Sequence, residues 1–137
     1  MNVLETETWS MALAPEWWAD ADDDGTILVG DEDDVGCIEI STLHKEDGEF
    51  DAAELKTIAT AESPEAGPWQ QVRLGDFGGL YSDFTEGDAA VREWYVAAGS
   101  QLLFITYSCD LDNAGMDDSA VDALLDTLAV ASEANVH

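Results

Sequence analysis

Between residues 69 and 110 four β-rich runs follow one another with only a glycine or a short turn between them: WQQVRLG, DFGGLYSDFTEG, VREWYVAAG and QLLFITYSCD. Aromatic and β-branched residues dominate them, as strand surfaces prefer. Connections as compact as TEGDAA and AAGSQ suit hairpins, so consecutive strands run antiparallel. This stretch predicts a four-stranded meander, and the rest of the chain must cover its faces.

The preceding half supplies more strands and one helix. In TWSMAL, Trp9, Met11 and Leu13 alternate with small or polar residues, the period-two pattern of a half-buried strand, and Pro15 ends it. TILVG and VGCIEIS, separated by Gly30 to Asp34, read as a hairpin. EDGEFDAAELKTIATAES predicts a short helix with Asp51 as N-cap, Glu54 as its capping-box partner, and Leu55 and Ile58 on one face. Near the end, DDSAVDALLDTLAV sets Val121, Leu124, Leu125 and Leu128 at helical spacing, with Asp117 and Asp118 at the positive end of the helix dipole. The expected order is βββαββββα, an α+β fold in which an antiparallel sheet of about six to seven strands carries packed helices. At 137 residues the chain fits a single domain spanning residues 1–137, able to bury roughly two-thirds of the surface its unfolded form exposes. No internal repeat, low-complexity linker or second-domain boundary interrupts it.

Three of these segments carry a family resemblance. WSMALAPEWW, REWYVAAGSQLLFITYSCD and AVDALLDTLAV resemble the opening strand, central hairpin and closing helix of the Mog1/PsbP-like fold, which includes small bacterial proteins related to the DcrB group. Element order is similar over nearly the whole chain. The resemblance implies binding or assembly, since members include a partner of the Ran GTPase, a photosystem subunit and secretion-associated or lipoprotein forms. It implies no shared catalytic residue to carry over.

Charge narrows the partners. Thirty-one Asp and Glu face four Lys and Arg, a net charge of −27, and Lys45, Lys56, Arg73 and Arg92 are scattered singly. Such a field repels nucleic acid and anionic membrane surfaces, and it attracts cations and basic proteins or peptides. A second reading explains the same charge as adaptation to high salt, where surface carboxylates keep a chain hydrated without any dedicated partner. The start MNVLETETWSMALAPEWW lacks the basic and apolar regions of a secretory signal, and no apolar run approaches a membrane span. The expected location is the cytoplasm, with Cys37 and Cys109 as free thiols in strands.

The densest acidic stretch, ADADDDGTILVGDEDD, aligns Asp20, Asp22, Asp24 and Gly25 with a calcium loop, but Asp31 stands where a reaching Glu is needed. Its surroundings are β-rich rather than helical, which favours an acidic connection between strands over a weak Ca²⁺ site. No metal site or cofactor is expected. Cys37 with His44 lacks a third, orienting group, so no catalytic residue is assigned. The glycines of GDFGG are followed by strand rather than helix, and they fit a bulge or a close approach of the last helix better than a phosphate loop. Trp17 and Trp18 are adjacent, so in an extended segment their side chains point to opposite faces and one meets solvent. An exposed aromatic beside dense acid suits a basic partner, the aromatic anchoring while the charge steers. The expected function is therefore a non-enzymatic acidic binding protein, in the manner of an inhibitor, immunity protein or chaperone for a basic effector. Its partner-binding residues would be Trp17, Trp18, Asp20, Asp22, Asp23, Asp24, Asp31, Glu32, Asp33 and Asp34. One short strand between the two carboxylate groups, Asp20 to Asp24 and Asp31 to Asp34, would hold them roughly 20 Å apart.

Overall fold

The computed structural model of the chain describes residues 2–32, 36–64, 66–116 and 118–130. Its strands are β1 (Asn2–Glu5), β2 (Trp9–Leu13), β3 (Trp17–Ala21), β4 (Ile27–Asp31), β5 (Gly36–His44), β6 (Gln70–Leu74), β7 (Phe77–Glu86), β8 (Ala89–Ala98), β9 (Gln101–Asp110) and β10 (Ala129–Val130). Helix α1 (Ala52–Glu62) separates β5 from β6, and α2 (Asp118–Leu125) precedes β10. The fold is α+β with two antiparallel sheets: a seven-stranded one in the order β3-β4-β5-β9-β8-β7-β6, and a three-stranded one in the order β1-β2-β10.

The predicted meander is present as β6 to β9, and β4–β5 form the predicted hairpin, joined to the meander through β5 and β9. Three short strands go beyond the predicted order. β1 pairs with β2, so TWSMAL lies at the centre of the small sheet rather than in the large one. PEWWAD contributes β3, paired with β4. The closing helix stops at Leu125, and Ala129–Val130 turn back onto Ser10 and Trp9. A helical period thus continued past the helix because Leu128 is also buried, on the far side of a turn in which the Thr127 hydroxyl donates to the Leu124 carbonyl at 2.6 Å.

Alternate residues of the large sheet feed two cores. Its inner face meets β2 and α2: Trp9, Met11, Leu13, Val121, Leu124 and Leu125 pack with Ile38, Ile40, Trp94, Val96, Leu103 and Ile105. The outer face is covered on one side by α1, through Leu55 and Ala59 against Tyr95 and Leu102. Asp51 caps α1 as expected: its carboxylate accepts from the Glu54 N–H at 2.8 Å, and Lys45 binds the Glu54 carboxylate at 2.6 Å. The two cysteines are not joined by a disulfide; Cys37 lies in β5 and Cys109 in β9. At the β6–β7 turn Gly75 has φ +60, and a side chain there would collide with the Leu128 main chain. The close approach foreseen at GDFGG is thus made by the segment after the last helix.

Arg92 fastens α2 to the sheet. Its side chain is 14% exposed, and its guanidinium binds Asp122 at 2.8 Å and lies 3.5 Å from Asp118. It also sits 4.7 Å from the Trp94 ring centroid and 5.1 Å from that of Tyr81. Its Nε donates to the Tyr81 hydroxyl, which in turn donates to Asp83, each at 2.9 Å. Burial opposes the charge on Arg92, but the hydrogen bonds to Tyr81 and Asp122 outweigh it and hold the guanidinium above its usual pKa. Arg92→Ala removes these contacts together and is expected to destabilise the chain by about 2 kcal/mol in urea unfolding. Arg92→Lys, which keeps the charge without the planar fork, should fall between the two.

Candidate protein-interaction surface

The β3–β4 hairpin occupies one edge of the large sheet. Register pairs Trp17 with Asp31, Trp18 with Gly30, Asp20 with Leu28 and Ala21 with Ile27. Strand alternation therefore decides the fate of each expected contact residue. Trp17 faces inward and is buried in the core. Trp18 faces outward, 44% exposed, and Asp20, two residues on, shares its face and is exposed. Asp22, Asp23 and Asp24 form the exposed tip, and Glu32 is exposed beyond the other end of β4.

Two of the expected contact residues are placed differently. Trp17 is 6% exposed and Asp31 7%, because both lie on the inward face of paired strands. Neither side chain belongs to the surface. Asp33 and Asp34 lie outside the described residues. The structure thus brings Trp18, Asp20 and Asp22 to Asp24 onto one hairpin, with Glu32 at its opposite end.

Trp18 lies flat across the sheet. Its indole N–H donates to the Asp31 carbonyl at 3.3 Å, and its ring covers Gly30, where a Cβ would come within 2.6 Å of the indole. Glycine opposite the tryptophan is what lets the ring rest on the backbone, and the sequence signal for it was the Gly30 within an apolar strand.

The tip carboxylates shape their own turn. Asp24 accepts from the Thr26 N–H at 2.9 Å, Asp22 closes a backbone turn with Gly25, and Gly25 takes φ +90. The backbone and hydroxyl of Thr26 hold the Asp24 carboxyl below its ordinary pKa of 3.8. Asp20 caps its neighbour, accepting from the Ala21 N–H at 3.0 Å. Among the described residues no group of three or more His, Cys, Asp or Glu side chains is placed to hold a metal ion.

Two cavities escaped the sequence reading, because each gathers residues distant in the chain. One of about 260 Å³ lies beside Arg92, lined by Tyr81, Asp83, Cys109, Leu111 and Asp118. Another, open and about 630 Å³, lies where the β1–β2 turn, the β5–α1 connection and the β8–β9 turn meet. Among the described residues no helix is long and apolar enough to cross a membrane.

No protein-family model matches the chain, and no curated protein matches it. Similar solved structures include the crystal structure of a protein from Bacteroides thetaiotaomicron, with a TM-score of 0.68 and 19% identity over 92% of this chain. The chain spans 46% of that protein, about half its length, and the likeness is one of fold. The solution structure of cyanobacterial PsbP (CyanoP) from Synechocystis is also similar, with a TM-score of 0.44 and 11% identity, covering 95% of this chain and 92% of that one.

Two measurements check this geometry. Gly30→Ala should lift the Trp18 ring off the sheet, so its indole N–H resonance shifts and exchanges faster. The Trp9 indole, bonded to the Thr42 hydroxyl at 3.1 Å, should stay unchanged. In a carbon-detected NMR titration Asp24 should have a midpoint below 3.8, with the support it lends the turn present above the unfolded-state pKa and lost as pH falls through the lowered folded value. A midpoint at or above that of an unperturbed aspartate would remove the Thr26 hydrogen bonds from the account.

Proposed function

We propose that the protein is a non-enzymatic binding module that captures a basic protein or peptide at the β3–β4 hairpin. One observation carries the reading: an exposed Trp18 shares a strand face with exposed Asp20 on a hairpin whose tip is Asp22, Asp23 and Asp24. Aromatic side chains on an exposed face supply contact area, and clustered like charge speeds and orients the encounter. β3 ends the strand order among the described residues, so an extended basic segment can also add to that edge. Glu32 extends the acidic rim, whereas Trp17 and Asp31 support it from inside. An inhibitor, immunity protein or chaperone of a basic effector would act in this way, by occupying the effector's positive surface. The finer family assignment, a Mog1/PsbP-like protein related to the DcrB group, belongs to the same proposal and is supported by the three resembling segments and the element order; work in the cytoplasm is proposed with it.

The test separates a site from bulk charge. Binding of a tryptophan-free oligolysine peptide to the full chain is compared between two variants that each neutralise four exposed carboxylates. One changes Asp20, Asp22, Asp23 and Asp24 to Asn; the other changes Glu62, Glu86, Asp88 and Asp112 to their amides. The hairpin variant should weaken binding about tenfold at low salt, and Trp18→Ala should add a loss that salt does not screen. Equal weakening by the two charge variants would assign the affinity to net charge, as expected for a salt-adapted surface without a dedicated partner.

A further inference from the structure

We infer that the cavity at the β8–β9 turn is a site for a primary ammonium group, the lysine side chain of a basic partner; this rests on the proposed function and says where one of the partner's charges goes. Gln101 is the starting point. It opens β9 on the inward face, is 5% exposed, and donates through Nε2 to the Thr8 carbonyl at 3.2 Å. That bond fixes the orientation of the amide and leaves Oε1, which has no hydrogen-bond partner among the described residues. A buried acceptor left unmade costs more than a made bond returns, so a donor arriving there gains that difference.

The lining says which donor. Gln101 shares the cavity with Glu7, Thr8, His44, Glu49 and Ser100. Glu7 and Glu49 exclude an anion and favour a positive ligand. Among the described residues no three carboxylate, imidazole or thiolate side chains are grouped to hold a metal ion, and a hard cation needs such a set of ligands. An ammonium fits: it brings three N–H donors and one compact charge, matching a lining that supplies an amide oxygen, carboxylates and a hydroxyl. Ala98 and Val130 also line the cavity, apolar walls against which a lysine stem can lie.

Register ties the cavity to the acidic hairpin. Ile27 of β4 pairs with Ile40 of β5, which pairs with Ile105 of β9, and His44 pairs with Gln101. The Asp22 to Gly25 turn precedes Ile27, so it projects toward the same end of the sheet as His44 and Gln101. Only β5 stands between β4 and β9, a lateral separation of about 10 Å for two strand spacings. A basic segment seated on the tip therefore lies at the same end of the sheet as the cavity.

The probe is N-acetyl-lysine methylamide, titrated into the labelled full chain by NMR against its uncharged norleucine counterpart. The lysine compound should shift the Gln101 side-chain amide and the Thr8, Gly99 and Ser100 backbone amides saturably, and norleucine should not. Gln101→Leu should weaken this by about tenfold, and Glu49→Gln, at an exposed position that leaves the fold intact, by about threefold. Shifts spread evenly over the acidic surface, or variants that titrate like the native chain, would overturn the site. Because the hairpin is unaltered in these variants, the outcome is independent of the oligolysine comparison: a saturable Gln101 response beside an indifferent hairpin would sink the interface and leave the ammonium site standing.

Discussion

The β8–β9 hairpin is the element on which the remaining structure depends. Its two ten-residue strands pair from Ala89 with Asp110 to Ala98 with Gln101. Alternation sends Trp94, Val96, Leu103 and Ile105 to one side and Tyr95 and Leu102 to the other. A strand pair that is apolar on both faces cannot be left with one face in water, so two covering layers follow. The small sheet with α2 closes one side, and α1 closes part of the other. Where α1 does not reach, the outer face carries Glu39 and Ser108, and there the sheet edge bearing Trp18 meets solvent.

Charge works against this arrangement. A net −27 favours expansion through self-repulsion, and the stability of the folded chain must come from the two apolar layers. The four cations therefore matter individually. Lys45 joins the β5 exit to the capping box of α1, and Arg92 holds Asp118 and Asp122 of α2 against the sheet between two aromatic rings. Both helices are fastened by a single positive side chain at an acidic end. Salt screens the repulsion and these exposed partners alike, but it does not screen the ring contacts of Arg92 to the same degree.

Much of this was legible in the sequence, for identifiable reasons. The meander showed because its strands are long and their turns carry glycine, as at Gly87 and Gly99, both with φ near +60. The capping box of α1 showed because Asp51 and Glu54 are local in sequence. Short partners did not show: β1 and β10 have four and two residues, too few for a period, and they exist because β2 offers them an edge. The two tryptophans were correctly set on opposite faces, but only the pairing with Gly30 explains why Trp18 lies flat. Burial of Asp31 was illegible, since a carboxylate at a strand end looks like loop until its partner Trp17 is known to face the core.

On the proposed reading, the cavity at Gln101 would separate the recognition site from the acidic sequence. A cluster such as Asp22 to Asp24 attracts every cation about equally, because exposed carboxylates in water impose almost no geometry. Discrimination requires a group that is costly to leave unpaired and reachable only from one direction. Gln101 meets the first condition: its amide is held by Thr8, and its buried oxygen has no hydrogen-bond partner among the described residues. In the proposed interface, attraction at the tip would raise the local concentration of a basic chain, and the Gln101 amide oxygen, on a strand about 10 Å to the side, would select the chain that places an ammonium there. The residues proposed to steer and to select are far apart in sequence because they belong to different strands, and it is the antiparallel pairing of β4, β5 and β9 that brings them to one end of the sheet.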